Sequence, residues 1–347
     1  MADFLLPYVS APPCMVAFSG GRDSSVVLAA AVSAARREGL PLPIPVTLSY
    51  PGVPEVDEAE WQRLVLEHLG ISERVVLAVG DENDLLGPLA TRLLEQHGPF
   101  WPSNVAPTWR LMDLARGGTL LTGEGGDEVF GLKRITALTR IIRAGGRAPF
   151  WIYPHAVRAV CPSAVRRRFV ERHPYRRHWM RPEAEAVILR RDAEDAAAFS
   201  LHAGRNAWQF AARRSARLAY DTFRILGLEI GVTFVPVFGE PDVVASIARA
   251  SGFWGWAGRT TTMLAMYGDL LPEQVLRRTS KAEFSRAVFN EHTREFARNW
   301  DGSGVDLELV DPDVLREEWL SESPAGPTMT LLHQAWCAGR SSSQEIR

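Results

Sequence analysis

The feature that most constrains the fold is a glycine- and serine-rich turn at residues 19–25, Ser-Gly-Gly-Arg-Asp-Ser-Ser. Apolar runs at residues 15–18 and 26–31 flank the turn, and they predict a buried strand, a tight loop and a helix. Glycines let the backbone turn sharply and approach a ligand closely, and the unpaired N–H groups at a helix start attract anions. The sequence therefore predicts a phosphate-binding loop. No Gly-Lys-Ser/Thr sequence follows, so the loop is not of the Walker type.

Asp23 is the unexpected member of this loop, because a carboxylate that faces a polyphosphate repels it unless a divalent cation lies between them. We therefore predict a nucleotide and magnesium site. A plainer interpretation stays open here, in which the segment is a glycine-rich turn with an Asp/Ser helix cap. The pattern resembles the Ser-Gly-Gly-x-Asp-Ser loop of the ATP pyrophosphatases, which cleave ATP between the α and β phosphates.

The order of the elements predicts the fold class. Beyond the strand at 14–18 and the helix at 24–37, strands are predicted at 46–50, 74–79 and 119–122, with helices at about 57–69, 84–96 and 108–115. Strands that alternate with helices predict an α/β fold with a parallel, doubly wound sheet. The chain after this point is helical in composition. We therefore expect an ATP-binding α/β region at 1–131 and a mainly helical region at 132–347 that completes the active site and the substrate pocket.

A second glycine-rich loop follows the strand at 119–122. Residues 123–131 read Gly-Glu-Gly-Gly-Asp-Glu-Val-Phe-Gly. In an open parallel sheet, ligands bind beyond the carboxyl ends of the strands, so both loops are expected at one crevice. Asp23 and Asp127 can then share a magnesium ion on the departing pyrophosphate, since magnesium prefers oxygen ligands.

Together the two loops resemble the synthetase domain of the asparagine synthetase family, which includes β-lactam synthetases, carbapenam synthetases and lasso peptide cyclases. The resemblance implies the adenine nucleotide α-hydrolase (PP-loop) fold, with ATP and Mg²⁺ as cofactors. It implies that Asp23 and Asp127 bind the metal and that Glu124 is the acid/base or positioning group for the amine. The residues implied to bind the nucleotide are Ser19, Gly20, Gly21, Asp23, Ser24, Ser25, Leu48 and Gly123.

A third motif at 271–285 resembles the closing signature of the same family, in which a lysine precedes a phenylalanine. The resemblance places Lys281 at the reacting centre, where it would stabilise charge on the α-phosphate or on the acyl oxyanion. Lys133 and Lys281 are the two lysines among 39 basic residues, and arginine cannot imitate a compact ammonium group. An ordinary surface role is the alternative for Lys281.

This sequence also differs from the family pattern at several positions. The glutamine-hydrolysing relatives begin with a second-position cysteine, whereas this chain begins Met1-Ala2-Asp3, so we expect nitrogen from free ammonia, from a partner protein or from an amine on the substrate. Arg22 replaces the apolar residue usual in the first loop, and it is expected to reach either a phosphate or another element. Glu240 follows Gly239 where the family has aspartate, and its default role is a charge at a helix start.

Composition limits the setting in which the chain works. No apolar run approaches the ~18 residues of a spanning helix, and three scattered cysteines do not suggest a disulfide framework, so we expect a cytoplasmic protein without membrane contact. A basic cluster at 166–181 is interleaved with aromatic residues. Because the net charge is -2, we favour a solvated or interdomain surface there over docking of an acidic peptide or a nucleic acid.

These features favour an ATP-dependent ligase of a specialised pathway that adenylates a small-molecule or peptide carboxylate and transfers the acyl group to an amine or ammonia. A macrolactam-forming, lasso-type peptide cyclase is the nearest alternative. A catalytically silent, nucleotide-binding partner subunit and a tRNA-modifying enzyme are the alternatives from other classes.

Overall fold

A five-stranded sheet, with every strand parallel to its neighbours, forms the centre of the computed structural model, which describes residues 1–51, 58–80, 83–172, 174–279 and 288–345. The strands are β1 (Cys14–Ala17), β2 (Ile44–Ser49), β3 (Val75–Ala78), β4 (Thr119–Thr122) and β5 (Thr233–Pro236). Their spatial order is β3-β2-β1-β4-β5. This arrangement confirms the predicted parallel α/β fold.

Helices account for most of the remaining chain. In chain order they are α1 (Ala2–Val9), α2 (Arg22–Arg37), α3 (Ala59–Leu69), α4 (Pro88–His97), α5 (Ala106–Leu114), α6 (Gly126–Phe130), α7 (Thr136–Arg143), α8 (Ile152–Val160), α9 (Ser163–Arg172), α10 (Pro182–Ala198), α11 (Ala203–Ala211), α12 (Arg214–Glu229), α13 (Pro241–Ser251), α14 (Arg259–Tyr267), α15 (Glu273–Arg277), α16 (Glu291–Asn299), α17 (Pro312–Leu320) and α18 (Met329–Glu345). Helix α2 begins earlier than predicted, so that Arg22 and Asp23 lie in its first turn.

Both faces of the sheet are covered, as the near-continuous apolar strands require. Because side chains alternate along a strand, Val16 and Phe18 point into one apolar cluster while Met15 and Ala17 pack against another. Helices α1, α2, α3, α13, α14 and α15 contribute to the first cluster. Helices α4, α5 and α12 contribute to the second. The sheet therefore lies between two helical layers, with its loops exposed at the strand ends.

The predicted strands did not include β5, which pairs with β4 from Thr119↔Thr233 to Thr122↔Pro236. Its four residues lie between long helical stretches and end at a proline, so local patterning does not distinguish them from a loop. Pairing with β4 stabilises them as a strand. A segment of the region after residue 131 is thereby built into the sheet, next to the strand that carries the second glycine-rich loop.

A third apolar cluster lies beneath α16, α17 and α18 and includes Trp179, Trp300 and Trp319. The ring centroids of Trp300 and Trp319 lie 4.7 Å apart. Helices α16, α17 and α18 agree with the helical composition predicted for this part of the chain. Within the described ranges, no helix combines the length and apolarity needed to cross a bilayer.

Candidate active site

The loop between β1 and α2 is a compact turn whose own hydroxyl groups fix its shape. Gly20 has a φ of 85°, which favours glycine, and a Cβ there would lie 2.9 Å from Gln62 Cγ. The Ser24 hydroxyl lies 3.1 Å from the Ser19 hydroxyl and donates to the Gly21 carbonyl, and Ser25 also donates to that carbonyl at 2.8 Å. The loop therefore presents the N-terminal turn of the 16-residue helix α2 in a fixed position.

The loop between β4 and α6 packs directly against this turn. A Cβ at Gly123 would lie 2.8 Å from the Ser24 backbone nitrogen, and a Cβ at Gly126 would clash with the Asp23 carboxyl group. Gly125 has a φ of 91°, and a Cβ there would lie 2.6 Å from the Gly239 nitrogen, just after β5. The glycines of this loop are thus needed for close backbone approach. They bring the two predicted loops together at the carboxyl ends of β1 and β4.

Asp23 and Asp127 are joined by one guanidinium group, because Arg259 at the start of α14 donates to both carboxylates. Sequence reasoning did not identify Arg259, since no motif marks it. Burial raises the pKa of the Asp23 carboxyl, and the charge of Arg259 opposes that effect. Asp23 Oδ1 is buried and has no hydrogen-bond partner among the described residues.

The two carboxylates fit a magnesium site. Magnesium is typically held by one or two carboxylates together with substrate phosphates and water, and the unpartnered Oδ1 of Asp23 offers a ligand atom. Within the part of the chain that the structure describes, no group of three or more His, Cys, Asp or Glu side chains could hold a metal alone. Asp23 and Asp127 would therefore hold the ion jointly with a phosphate ligand.

Arg278, within the third motif, connects that motif to the first loop. It donates to both carboxylate oxygens of Glu58 and, at 3.1 Å, to the Gly20 carbonyl. The guanidinium also lies 4.9 Å from the ring centroid of Trp61. Lys281 lies outside the described residues, so its predicted role at the reacting centre stays a prediction.

Arg22 binds other elements of the chain. Its Nη1 donates to Thr260 Oγ1 at 3.2 Å and to the Leu276 carbonyl at 3.5 Å. It therefore connects α2 to α14 and α15, which is one of the two roles that the sequence left open for it.

Glu124 is exposed in the second loop, and its backbone nitrogen donates to Thr122 Oγ1 at 3.4 Å. The phenol of Tyr220 is buried. Burial and the negative charges of Glu128 and Glu124 raise the pKa of this phenol. The Tyr220 ring also packs where a Cβ on Gly239 would clash. Tyr220 is thus near enough to Glu124 for the charge of Glu124 to act on its pKa, and no sequence motif marked it.

The structure also shows the contacts of Leu48 and Glu240, two residues that the sequence analysis singled out. Leu48 lies near the end of β2, partly buried and opposite Leu77 of β3, on the strand beside β1. Glu240 precedes α13 and forms an ion pair with Arg224 at 2.6 Å, in keeping with a charge at a helix start. Neither side chain has a contact that assigns it to the nucleotide.

Lys133, the lysine after the second loop, is close to the carboxylate pair. Its Nζ donates to the Glu128 carbonyl at 2.6 Å and lies 4.9 Å from the ring centroid of Phe210. Burial, together with the charge of Arg259, lowers the pKa of Lys133 to about 7, against the opposing charge of Glu128. The sequence signal for this residue was the scarcity of lysine.

Much of the basic cluster at 166–181 is neutralised within the chain. The ion pairs are Arg167–Glu171, Arg176–Glu185, Arg177–Asp192 and Arg181–Asp311. The last of these, at 2.8 Å, connects the start of α10 to the start of α17. These arginines contribute to internal and interhelical contacts. Arg166 differs from them, since it points inward and donates to backbone carbonyls.

The family model described as asparagine synthase matches residues 8–225, which is more than half of the chain and contains both glycine-rich loops. A search of curated proteins found no match.

Proposed function

Because the chain belongs to the asparagine synthase family of ATP-dependent, amide-forming ligases, we propose that it activates a carboxylate as an acyl adenylate and transfers the acyl group to an amine or ammonia. The observation that carries the proposal is the convergence of Asp23 and Asp127 on Arg259 beside the glycine loop. An acid pair at a phosphate-binding turn suits an enzyme that releases pyrophosphate. The setting that we propose is cytoplasmic, in a specialised biosynthetic pathway.

The proposed first step begins with the substrate carboxylate. One of its oxygens attacks the α-phosphorus of ATP, the bond between the α-phosphorus and the bridging oxygen breaks, and pyrophosphate leaves. Asp23 and Asp127 would hold Mg²⁺, which neutralises negative charge on the departing group when it is bound. The turn at Ser19, Gly20 and Gly21 would orient the phosphates through the N–H groups at the start of α2.

In the second step the amine attacks the acyl carbon, and AMP leaves with one oxygen of the former carboxylate. Glu124 would position the amine and accept its proton, and Lys281 would stabilise the oxyanion, as the family resemblance implies. Ammonia gives a primary amide, a separate amine gives a secondary amide, and an amine on the same molecule gives a lactam.

The test follows pyrophosphate and AMP release from ATP and Mg²⁺ with pooled carboxylic acids and amines, including acidic peptides. With an ¹⁸O-labelled carboxylate, the proposal requires that one label appear in AMP. Asp23→Asn and Asp127→Asn should each lower turnover by about two orders of magnitude, as for loss of a group that stabilises transition-state charge. Asp242→Asn is the matched control, since Asp242 is exposed on α13. Release of ADP and labelled phosphate would contradict the proposal.

A further inference from the structure

A cavity of about 510 Å³ lies among α7, α8, α9, α10 and α11, beside the segment that follows α6. The charged residues that line it are all basic. Among the residues that the structure describes, six basic side chains line it, namely Lys133, Arg134, Arg140, Arg158, Arg166 and Arg213, and no Asp or Glu does. A cavity of this size is large enough for a small ligand.

The positive charge is not cancelled by ion pairs. Arg134 donates to the carbonyls of Ala159 and Phe199 at 2.7 and 2.9 Å, and Arg166 donates to two other backbone carbonyls. Burial and the charge of Arg166 both lower the pKa of Arg134. In the described part of the chain, no carboxylate lies within ion-pair distance of any of the six cations that line the cavity. Like charges gathered without carboxylates indicate an anionic ligand.

Two residues of the lining also carry buried donors just behind the cavity surface. Arg166 Nε and Asn206 Nδ2 are buried and have no hydrogen-bond partner among the described residues. Asn206 is held in place because its side-chain oxygen accepts from the Arg134 backbone nitrogen at 3.1 Å. Buried donors without partners are costly, so these two residues lie in an unusually polar part of the helical region.

One side of the cavity is aromatic. The rings of Phe199 and Phe210 stack with centroids 4.2 Å apart, and the guanidinium of Arg213 lies 4.7 and 4.6 Å from the two centroids. Trp151 lines the opening and is exposed over 60% of its surface. The lining thus offers apolar and cationic surfaces side by side.

The cavity adjoins the carboxylate pair. Lys133 lines it while donating to the carbonyl of Glu128, the residue next to Asp127. Arg140 lines it while its Nε donates to the Ala257 carbonyl at 2.5 Å, near the start of α14 and Arg259. A molecule in the cavity would therefore extend toward the reacting centre.

We propose that this cavity binds a second anionic group, a carboxylate or a phosphate, of the molecule whose carboxylate is adenylated, while the aromatic side chains hold an apolar part of the same molecule. The inference rests on the proposed function for the identity of the ligand as the acyl substrate. A nucleic acid is a poorer fit, because the outer arginines of this region, such as Arg176 and Arg177, already pair with Glu185 and Asp192.

Ligand binding is tested by titration calorimetry with 1-naphthyl phosphate and with 1-naphthoate, in the presence of saturating α,β-methylene-ATP to occupy the nucleotide loop. These probes carry an aromatic body with either of the two anionic groups, and 1-naphthol is the neutral control. Arg158→Gln and Arg213→Gln are chosen because both residues are exposed and neither contacts the carboxylate pair. Arg191→Gln, an exposed arginine on α10, is the matched control.

We expect Arg158→Gln and Arg213→Gln each to weaken binding of the favoured anionic probe about tenfold, as for loss of a hydrogen bond to a charged group, and Arg191→Gln to leave it unchanged. Equal binding of 1-naphthol, or binding that none of the lining variants changes, would overturn the inference. So would failure of both anionic probes to bind the parent protein.

The pyrophosphate assay separates this inference from the proposed function. Turnover with acids that carry a second anionic group should fall in Arg158→Gln and Arg213→Gln through a higher KM with little change in kcat. If pyrophosphate is released equally well with acids that lack such a group, the cavity inference is wrong and the ligase proposal stands. If the probes bind as expected but no acid supports pyrophosphate release, the ligase proposal and the cavity's role as its acyl site fail, and anion binding remains.

Discussion

The ion pair between Glu58 and Arg278 gives a quantitative test of how the third motif is fixed to the nucleotide loop. The Arg278 and Glu58 side chains are exposed over only 5% and 9% of their surfaces. Removing one partner of a buried pair leaves an uncompensated charge, which typically costs about 3–5 kcal/mol. We therefore expect Glu58→Ala to lose about that much unfolding free energy, because it removes the carboxylate to which the buried Arg278 guanidinium donates.

The magnitude is tested with a double-mutant cycle. The cycle compares Glu58→Leu, Arg278→Met and the double variant that carries both. The double variant has no buried charge and should recover most of the stability that each single variant loses. Urea unfolding followed by circular dichroism gives the midpoint and slope for each variant. Glu60→Ala, at an exposed position in the first turn of α3 just after Glu58, is the control and should change stability by less than about 0.5 kcal/mol.

Two outcomes would refute this reasoning. One is a Glu58→Ala variant as stable as Glu60→Ala, which would mean that the Arg278 charge is solvated. The other is a double variant whose loss equals the sum of the two single losses, because that would show no coupling between the partners. If the double variant is stable, its KM for ATP should still exceed that of the parent, since Arg278 donates to the carbonyl of Gly20 within the loop.

Three further predictions address the site. Gly126→Ala should lower pyrophosphate release about 100-fold without unfolding the protein, because the new Cβ would displace the Asp23 carboxyl group. The control is Gly326→Ala, whose Cβ would have nothing within 4 Å, and it should behave like the parent. Equal rates in the two variants would show that the position of Asp23 does not matter. Arg259→Met should lower the unfolding free energy by about 1–3 kcal/mol. Calorimetry should show that Mg²⁺ raises the Tm of this variant more than that of the parent. An equal rise in Tm would contradict the idea that Arg259 and Mg²⁺ occupy the same position between Asp23 and Asp127. Folding lowers the pKa of Lys133 from 10.5 to about 7, so the unfolded chain binds more protons than the folded chain between these pH values, and this residue makes stability rise with pH there. Lys133→Met should remove that part of the rise in the urea midpoint between pH 7 and pH 9. An unchanged difference between the two midpoints would be inconsistent with a buried lysine.

Local sequence was informative where a single residue type can satisfy the geometry. The turn at 19–25 needs glycine for its positive φ and its close packing, so it was visible as a motif. The same holds for Gly125 and Gly126 in the second loop. Strands β1 to β4 were also predicted, because parallel strands are largely apolar runs bounded by turn residues.

Other features could not be predicted because their cause lies far away along the chain. Strand β5 is specified by pairing with β4, and its own four residues carry little strand signal. Arg259 is one arginine among many in the sequence, and only folding places it between carboxylates that lie at positions 23 and 127. The buried pair of Glu58 and Arg278 is non-local in the same way.

By itself, the sequence determined the two loops, the α/β class and the family resemblance, because each depends on short-range backbone requirements of glycine and on hydrophobic periodicity. Only the tertiary structure decided which charges meet. It joined Asp23 and Asp127 through Arg259 and turned Arg22 toward α14 and α15. It also collected six basic side chains around one cavity that no described Asp or Glu lines. Electrostatic energy depends on distance and burial in space, and neither quantity is encoded in the spacing of residues along the chain.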